Sequence, residues 1–218
     1  MATEFWDPVI LSIKTASAAG FIVLIFGVLA AKAMSAARFK GKLVLETLFL
    51  LPLVLPPSVI GFLLIVVFGR GSMAGQLLEW VFRQPVMFTW WAAVIASSVV
   101  AFPLMYQSAK AGFESIDRDI EDAARVDGAS GWKVLQLISI PLAMKAIVSG
   151  GILSFARALG EFGATLMFAG NIPGRTQTIP TAIYTAIESG NMGLAWLWVL
   201  CTIVISVAML TAVRFMKV

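Results

Sequence analysis

Apolar residues fall into five runs, at 9–31, 43–68, 88–109, 142–169 and 194–213. Each has about 20 residues or more, enough to cross a hydrocarbon core of roughly 30 Å as a helix. Short polar connections separate them, together with one compact charged stretch at 117–141. The pattern predicts an all-α polytopic membrane protein: a single transmembrane domain over 1–218 with five spans and a charged segment on one side. The second run contains "LPLVLPPSVIG", whose Pro52, Pro56 and Pro57 remove backbone donors and predict a kinked or broken helix. In lipid such irregular backbone survives where it is packed or lines a wet cavity, which puts this span beside a pathway; a merely kinked structural helix is the alternative.

The connections predict two further helices. The stretch 69–87 contains "GQLLEWVFRQP", an amphipathic piece with Trp80 and Phe82 suited to lying at an interface. In "GNIPGRTQTIPTAIYTAIESGN", Thr178 is a candidate N-cap for a helix from Ile179 to Glu188, with Gly190 just past its end. Small residues recur every four positions at Ser12, Ala16 and Gly20, and again at Ala156, Gly160 and Ala164, predicting two faces that allow close helix approach.

Charge then orients the spans. Lys and Arg number four in 32–42, five in 110–145 and two in 214–217, against Arg70, Arg83 and Arg175, with Lys14, on the other side. The positive-inside rule places the amino terminus outside and the 32–42 loop, the 117–141 segment and the tail in the cytoplasm. "VLAAKA" offers a signal-peptidase-like spacing, but the acidic "MATEFWD" start, the long apolar run and the following basic loop favour a retained first span. With 60% hydrophobic and 13% charged residues, the solvent for most of the chain is lipid. The basic residues are not interleaved with aromatics on a polar face, so no nucleic-acid partner is expected. With no histidine and only Cys201, a His/Cys zinc site and intrachain disulfides are excluded, and no metal or other cofactor is expected.

The charged segment "EDAARVDGASGWKVLQLISIP" reads as helix, turn, helix. Asp117 is a candidate N-cap, Asp119, Glu121 and Asp122 favour the helix's positive end, and Arg125 lies one turn after Glu121. Gly128 stops the helix and Ser130 caps the next, which leads towards Pro141. A charged helix with the small Ala123 and Ala124 on one side suits a groove in a soluble partner; an ordinary loop helix is the alternative.

Here the sequence resembles a family. Asp122-Ala123-Ala124, then Gly128, then Ile138, Ser139, Ile140 and Pro141 match the motif EAA, three residues, Gly, nine residues, Ile, one residue, Leu-Pro, with Asp122 for Glu and Ile140 for Leu. That motif marks the membrane subunits of binding-protein-dependent, ATP-driven importers. "SFARALGEFGATLMFAGNIPGRTQTIPTAIYT" and "LPLVLPPSVIGFLLIVVFGRGS" resemble the permeases of molybdate importers, with tungstate and sulfate permeases as close relatives. The resemblance implies the type I ABC importer permease fold and a location in the plasma (inner) membrane of a prokaryote. It also implies a homodimer, separate ATPase subunits, and an extracytoplasmic oxyanion-binding protein. No G-x-x-x-x-G-K-[ST] occurs, so ATP hydrolysis falls to a partner and the chain is not read as an enzyme. Glu121, Asp122, Ala123, Ala124, Arg125 and Gly128 are then the ATPase-coupling candidates.

Arg157 and Glu161 lie four residues apart inside the fourth run, where ionisable groups are costly. Either Arg157 supplies positive potential to an anion pathway that Glu161 moderates, or the two form a structural ion pair. With Pro56, Pro57 and Gly160 they are the pathway candidates. The reading is an alternating-access permease that moves molybdate inward; a passive channel and a structural assembly factor are the alternatives.

Overall fold

The computed structural model describes residues 2–215, without the side chains of 2–4, 81, 82 and 212–215. Lys217 lies outside the described residues, as do the side chains of Phe82 and Arg214. The described chain is helical: α1 Ala2–Ala36, α2 Lys42–Val54, α3 Pro57–Phe68, α4 Met73–Phe82, α5 Trp90–Glu114, α6 Arg118–Val126, α7 Gly131–Val134, a π-helical turn Leu135–Ser139, α8 Ile140–Leu159, α9 Gly163–Phe168, α10 Ile179–Glu188 and α11 Met192–Phe215.

The central helix is α5, packed against α1 and α8. Ala16, Ala19 and Val23 of α1, Ala101, Met105, Tyr106 and Ala109 of α5, and Ala143 and Ile147 of α8 share one core. Small side chains dominate it because association in lipid depends on close packing rather than on expelling water. Trp90 Nε1 donates to Thr15 Oγ1 at 2.9 Å, whereas Lys32 lies over the Phe113 ring at 5.3 Å. Thus α1 and α5 run parallel, and α8, whose Ala143 and Ala146 lie beside Gly112 and whose Ser154 Oγ donates to Ala101 O at 3.2 Å, runs against them. The 35 residues of α1 span about 52 Å at 1.5 Å per residue, so its ends project beyond a hydrocarbon core of roughly 30 Å.

Among the described residues, four helices are long and apolar enough to span a membrane, and α2 with α3 forms a fifth candidate bent by 119°. Pro56 caps α3 and Pro57 begins it, where the missing N–H costs nothing, so the two prolines end one helix and start another. Lys110 Nζ lies 2.6 Å from Glu46 of α2, and Phe68 at the end of α3 packs on Phe168 with ring centroids 6.1 Å apart. The bent pair therefore carries the chain from the Lys110 end of α5 to its Trp90 end.

The fourth run differs from its expected extent of 142–169. α7, the π turn and α8 form one span, Gly131–Leu159, and the chain breaks at 160–162 before α9. The expected Ala156, Gly160, Ala164 face is split by this break: Ala164 is buried, but Ala156 and Gly160 are exposed. Close approach instead uses Gly150, where a Cβ would lie 2.7 Å from Ser108 Cβ, and Gly112, where one would lie 2.6 Å from Ala146 Cβ. On α1, Ser12 and Ala16 are buried as expected. α10 has the expected limits, but Thr178 makes no side-chain cap. Ser12 Oγ accepts from Ile179 N at 2.7 Å, so a neighbouring helix supplies the cap across the interface.

Candidate functional site

The pathway candidates converge at two chain breaks. α3 and α9, both half-helices, pack together with their first residues adjacent: a Cβ on Gly163 would lie 2.9 Å from Pro57 Cβ, and one on Gly61 would lie 2.7 Å from Met167 Cβ. Only residues without a Cβ allow this approach, which holds the 55–57 break of one run against the 160–162 break of another. Discontinuous helices meeting inside a membrane protein are tolerated where protein or a wet cavity takes up the freed backbone groups.

Arg157 and Glu161 stand at this junction. Glu161 is 1% exposed; its Oε1 accepts from Ala164 N at 2.8 Å, and its Oε2 lies 2.8 Å from Arg157 Nη1 without the alignment of a hydrogen bond. The arginine is about one-third exposed, so the pair has a buried anionic end and an accessible cationic end. Glu161 Oε2, Thr165 Oγ1 and Asn171 Oδ1 are the buried side-chain polar atoms, among the described residues, without a hydrogen-bond partner. Glu161 Oε2 has its ion pair with Arg157, which leaves Thr165 Oγ1 and Asn171 Oδ1, within ten residues of it, as the two without a polar partner. Nothing in the sequence marked Thr165 or Asn171, because single polar residues in an apolar run carry no periodic signal.

The coupling candidates form a second cluster at the opposite end of α8. Asp117 Oδ1 accepts from Asp119 N, starting α6; after Asp127, Gly128 turns the chain at φ +86°, and Ser130 Oγ accepts from Lys133 N. α6 places Glu121 inward, its side chain 12% exposed. Glu121 Oε1 accepts from Lys32 Nζ of α1 and from Ser139 Oγ at 2.7 Å, and Oε2 lies 3.4 Å from Arg125 Nη2. Burial alone would raise this carboxyl, but the hydrogen bonds from Lys32 and Ser139 and the charges of Lys32 and Arg125 prevail and hold it below the ordinary carboxylate value. Ser139 closes the π turn, a helix defect common at functional sites.

The outward side of α6 carries Asp122, Ala123 and Arg125, with Arg125 Nη1 donating to Asp122 Oδ1, while Ala124 is partly buried. Beside them Val126 is 87% and Trp132 60% exposed, with Ile120 nearly half exposed. The expectation of a small-sided, charged helix is thus corrected: the exposed surface also presents bulky apolar groups. Their signal in the sequence was an apolar residue at the end of an otherwise charged helix, and a tryptophan in the following turn. The Lys32 contact had none, since 89 positions separate it from Glu121.

Residues 23–217 match the family described as the binding-protein-dependent transport system inner membrane component. The chain is 64% identical over 216 residues to Bacillus subtilis YvgM, provisionally described as a molybdenum transport system permease protein, with 99% of this chain and 95% of that one covered. It is 44% identical over 209 residues to the molybdenum transport system permease protein ModB of Escherichia coli K12, covering 94% and 90%. Among solved structures, a chain of the MetNI methionine ABC transporter in an inward-facing conformation superposes with a TM-score of 0.70 at 13% identity, over 99% of this chain and 94% of that one. A bacterial ABC transporter involved in the import of the acidic polysaccharide alginate gives 0.69 at 18%, covering 95% and 78%. At such identities these two structures speak to the fold alone.

Proposed function

Because the chain belongs to the family of binding-protein-dependent transport system inner membrane components, we propose that it is the membrane-spanning permease subunit of an ATP-driven oxyanion importer, with molybdate as the cargo. Two copies enclose the pathway, separate ATPase subunits bind the α6 surface, and an extracytoplasmic binding protein delivers the anion. The amino terminus is outside, and α6 is in the cytoplasm with the Lys32 and Lys110 ends of α1 and α5. The observation that carries this reading is the junction of two interrupted helices at the Arg157–Glu161 pair, in a chain that lacks a phosphate-binding loop and presents an exposed amphiphilic helix at its far end. Names of relatives support molybdate.

In this reading Arg157 draws a dianion towards the junction, and Glu161, held at 2.8 Å, competes with it so that the anion is not retained. The exposed Ala156 and Gly160 suit a close approach of the second copy along the same helix. Asp122, Ala123, Arg125, Val126 and Trp132 engage the ATPase, while Ala124 and Glu121 join α6 to the rest of the permease and Gly128 sets its angle. Nucleotide binding favours one arrangement of the ATPase pair, and that preference reaches α1 through Lys32 and α8 through Ser139.

The test is reconstitution in proteoliposomes of the permease with its ATPase, with labelled molybdate and its binding protein outside. Uptake should need all three proteins and ATP, and competition should place molybdate ahead of sulfate. Uptake by the permease alone would identify a passive channel and defeat the proposal.

A further inference from the structure

α2 is loosely held. None of its residues is buried, and it packs mainly on α5, through Leu45, Phe49 and Leu50 at the edge of the core. Pro52 denies the Leu48 carbonyl its helical donor, and Leu48 and Pro52 line two apolar recesses, of about 250 and 150 Å³, on the α1 and α3 sides of the helix. The 119° bend then separates α2 from α3, which is fixed to α9 where Gly61 and Gly163 admit their neighbours.

The firm attachment of α2 is electrostatic. Glu46 lies inside the second apolar run, where an ionisable group is costly unless paired. Its Oε1 is 2.6 Å from Lys110 Nζ and accepts from Tyr106 Oη at 3.4 Å, both on α5. Each member of this pair also has a second partner on its own helix: Lys42 Nζ is 3.8 Å from the same Glu46 oxygen, and Glu114 Oε1 is 3.6 Å from Lys110 Nζ. Both second partners stand at i,i+4 spacing, so they stay within reach wherever α2 moves. Breaking a desolvated pair is costly when a charge is left alone, and here neither would be. The four charges therefore have two arrangements, one across the helices and one within them. The route to α6 is short: Phe113, in the turn after Lys110, lies under Lys32, whose ammonium pairs with Glu121.

We propose that the Glu46–Lys110 pair is a latch that holds α2 against α5 in one access state of the importer and releases it in the other, Glu46 passing to Lys42 and Lys110 to Glu114. On release α2 turns about the 55–56 break while α3 stays on the junction, so the cytoplasmic half of this span moves without disturbing Arg157 and Glu161. The inference rests on the importer reading and names the residues that position α2 through the transport cycle.

The test is ATP-driven molybdate uptake by proteoliposomes holding the permease–ATPase complex, with the binding protein outside. Lys42→Gln with Glu114→Gln keeps the 2.6 Å pair but removes both second partners, and should slow uptake by roughly tenfold or more, because each released charge would stand alone. Glu46→Lys with Lys110→Glu re-forms the latch with reversed sign but sets each charge beside a like one on its own helix; the complex should assemble and uptake should stay low. Adding Lys42→Glu and Glu114→Lys to that swap restores both arrangements and should recover most of the uptake. Motion is read separately, from the rate at which a membrane-permeant maleimide labels Leu50→Cys in a Cys201→Ala background. ATP should change that rate in the original and fourfold-altered complexes but not in the twofold swap. Co-purification with the ATPase verifies folding of each variant. Full uptake in either of the first two variants would make Glu46–Lys110 a fixed structural pair and overturn the latch. So would an assembled fourfold variant that stays inactive, or a labelling rate in the original complex that ATP does not alter. An unaltered complex that takes up no molybdate would instead defeat the importer reading, and the latch with it.

Discussion

Two carboxylate–arginine pairs at helical spacing, Glu121 with Arg125 and Arg157 with Glu161, look alike along the chain and differ completely in space. Glu121 is held from three elements: Lys32 from α1, Ser139 from the π turn and Arg125 from its own helix. Glu161 has one backbone donor and one arginine, and its second oxygen is unaligned. A carboxylate bonded from three elements makes them move together, whereas one bonded to a single side chain can exchange that partner for another anion. In the proposed reading the same local motif serves transmission at one end of α8 and exchange at the other. Which pair does which was set by contacts that sequence spacing does not carry.

The severest way to break the transmitting end is at its turn. Gly128→Val places a β-branched residue at φ +86°, where non-glycine residues pay about 1–2 kcal/mol and branched ones more. No apolar span surface changes, so the protein should still reach the membrane; uptake should fall to background and the ATPase should no longer co-purify in full. Uptake at the original level would make α6 an ordinary loop.

Glu121→Lys should come next, and through an inward effect. It sets a second ammonium against Lys32 and removes the acceptor that ties Ser139 to α6, leaving Ser139 only its bond to Val134 O, at a cost of about 3 kcal/mol. Because the side chain faces inward, a Lys32→Glu change in the same protein should restore ATPase binding by re-forming the pair with reversed sign. Failure of that rescue in protein still present in the membrane would return Glu121 to the partner surface, where the sequence alone had placed it.

The exchanging pair is sharpened by Arg157→Met. Transport should drop about tenfold or more, the scale at which charges in a cleft raise local anion concentration, while assembly stays intact. Arg157→Met with Glu161→Met removes both charges: full recovery of uptake would make the pair structural, and continued loss with normal assembly keeps Arg157 in the pathway.

Much of the fold was legible because lipid imposes a length and a composition on whatever crosses it: the apolar runs and the break at Pro56 and Pro57 follow from residue type. The caps at Asp117, Gly128 and Ser130 were equally local and were read correctly. Less was legible where one residue answered a need in a distant one. The break at 160–162 has no proline, and Ser12 rather than Thr178 serves α10. The site candidates Pro57, Arg157 and Glu161 lie at one junction in space, and that junction depends on Gly61 and Gly163 admitting a neighbour, which spacing within one helix does not encode.

The finest test of the contrast uses acidity. With its carboxyl held below the ordinary value of 4.5, Glu121 stabilises the joined α1, α6 and α8 arrangement at any pH above that value, and the contribution is lost as pH falls through the folded-state pKa beneath it. ATPase retention should therefore be flat from neutral pH down to about pH 5 and decline only below. Ser139→Ala removes one hydrogen bond that favours the ionised form, worth about 1 kcal/mol, so the decline should begin at a pH higher by less than about one pH unit. Above the decline the variant should co-purify with nearly as much ATPase as the original, since Lys32 and Arg125 still hold the carboxylate. Retention measured against pH in nanodiscs decides it: an acid limb unmoved by Ser139→Ala would mean that the π turn does not hear Glu121, and transmission to α8 would then have to run through packing alone.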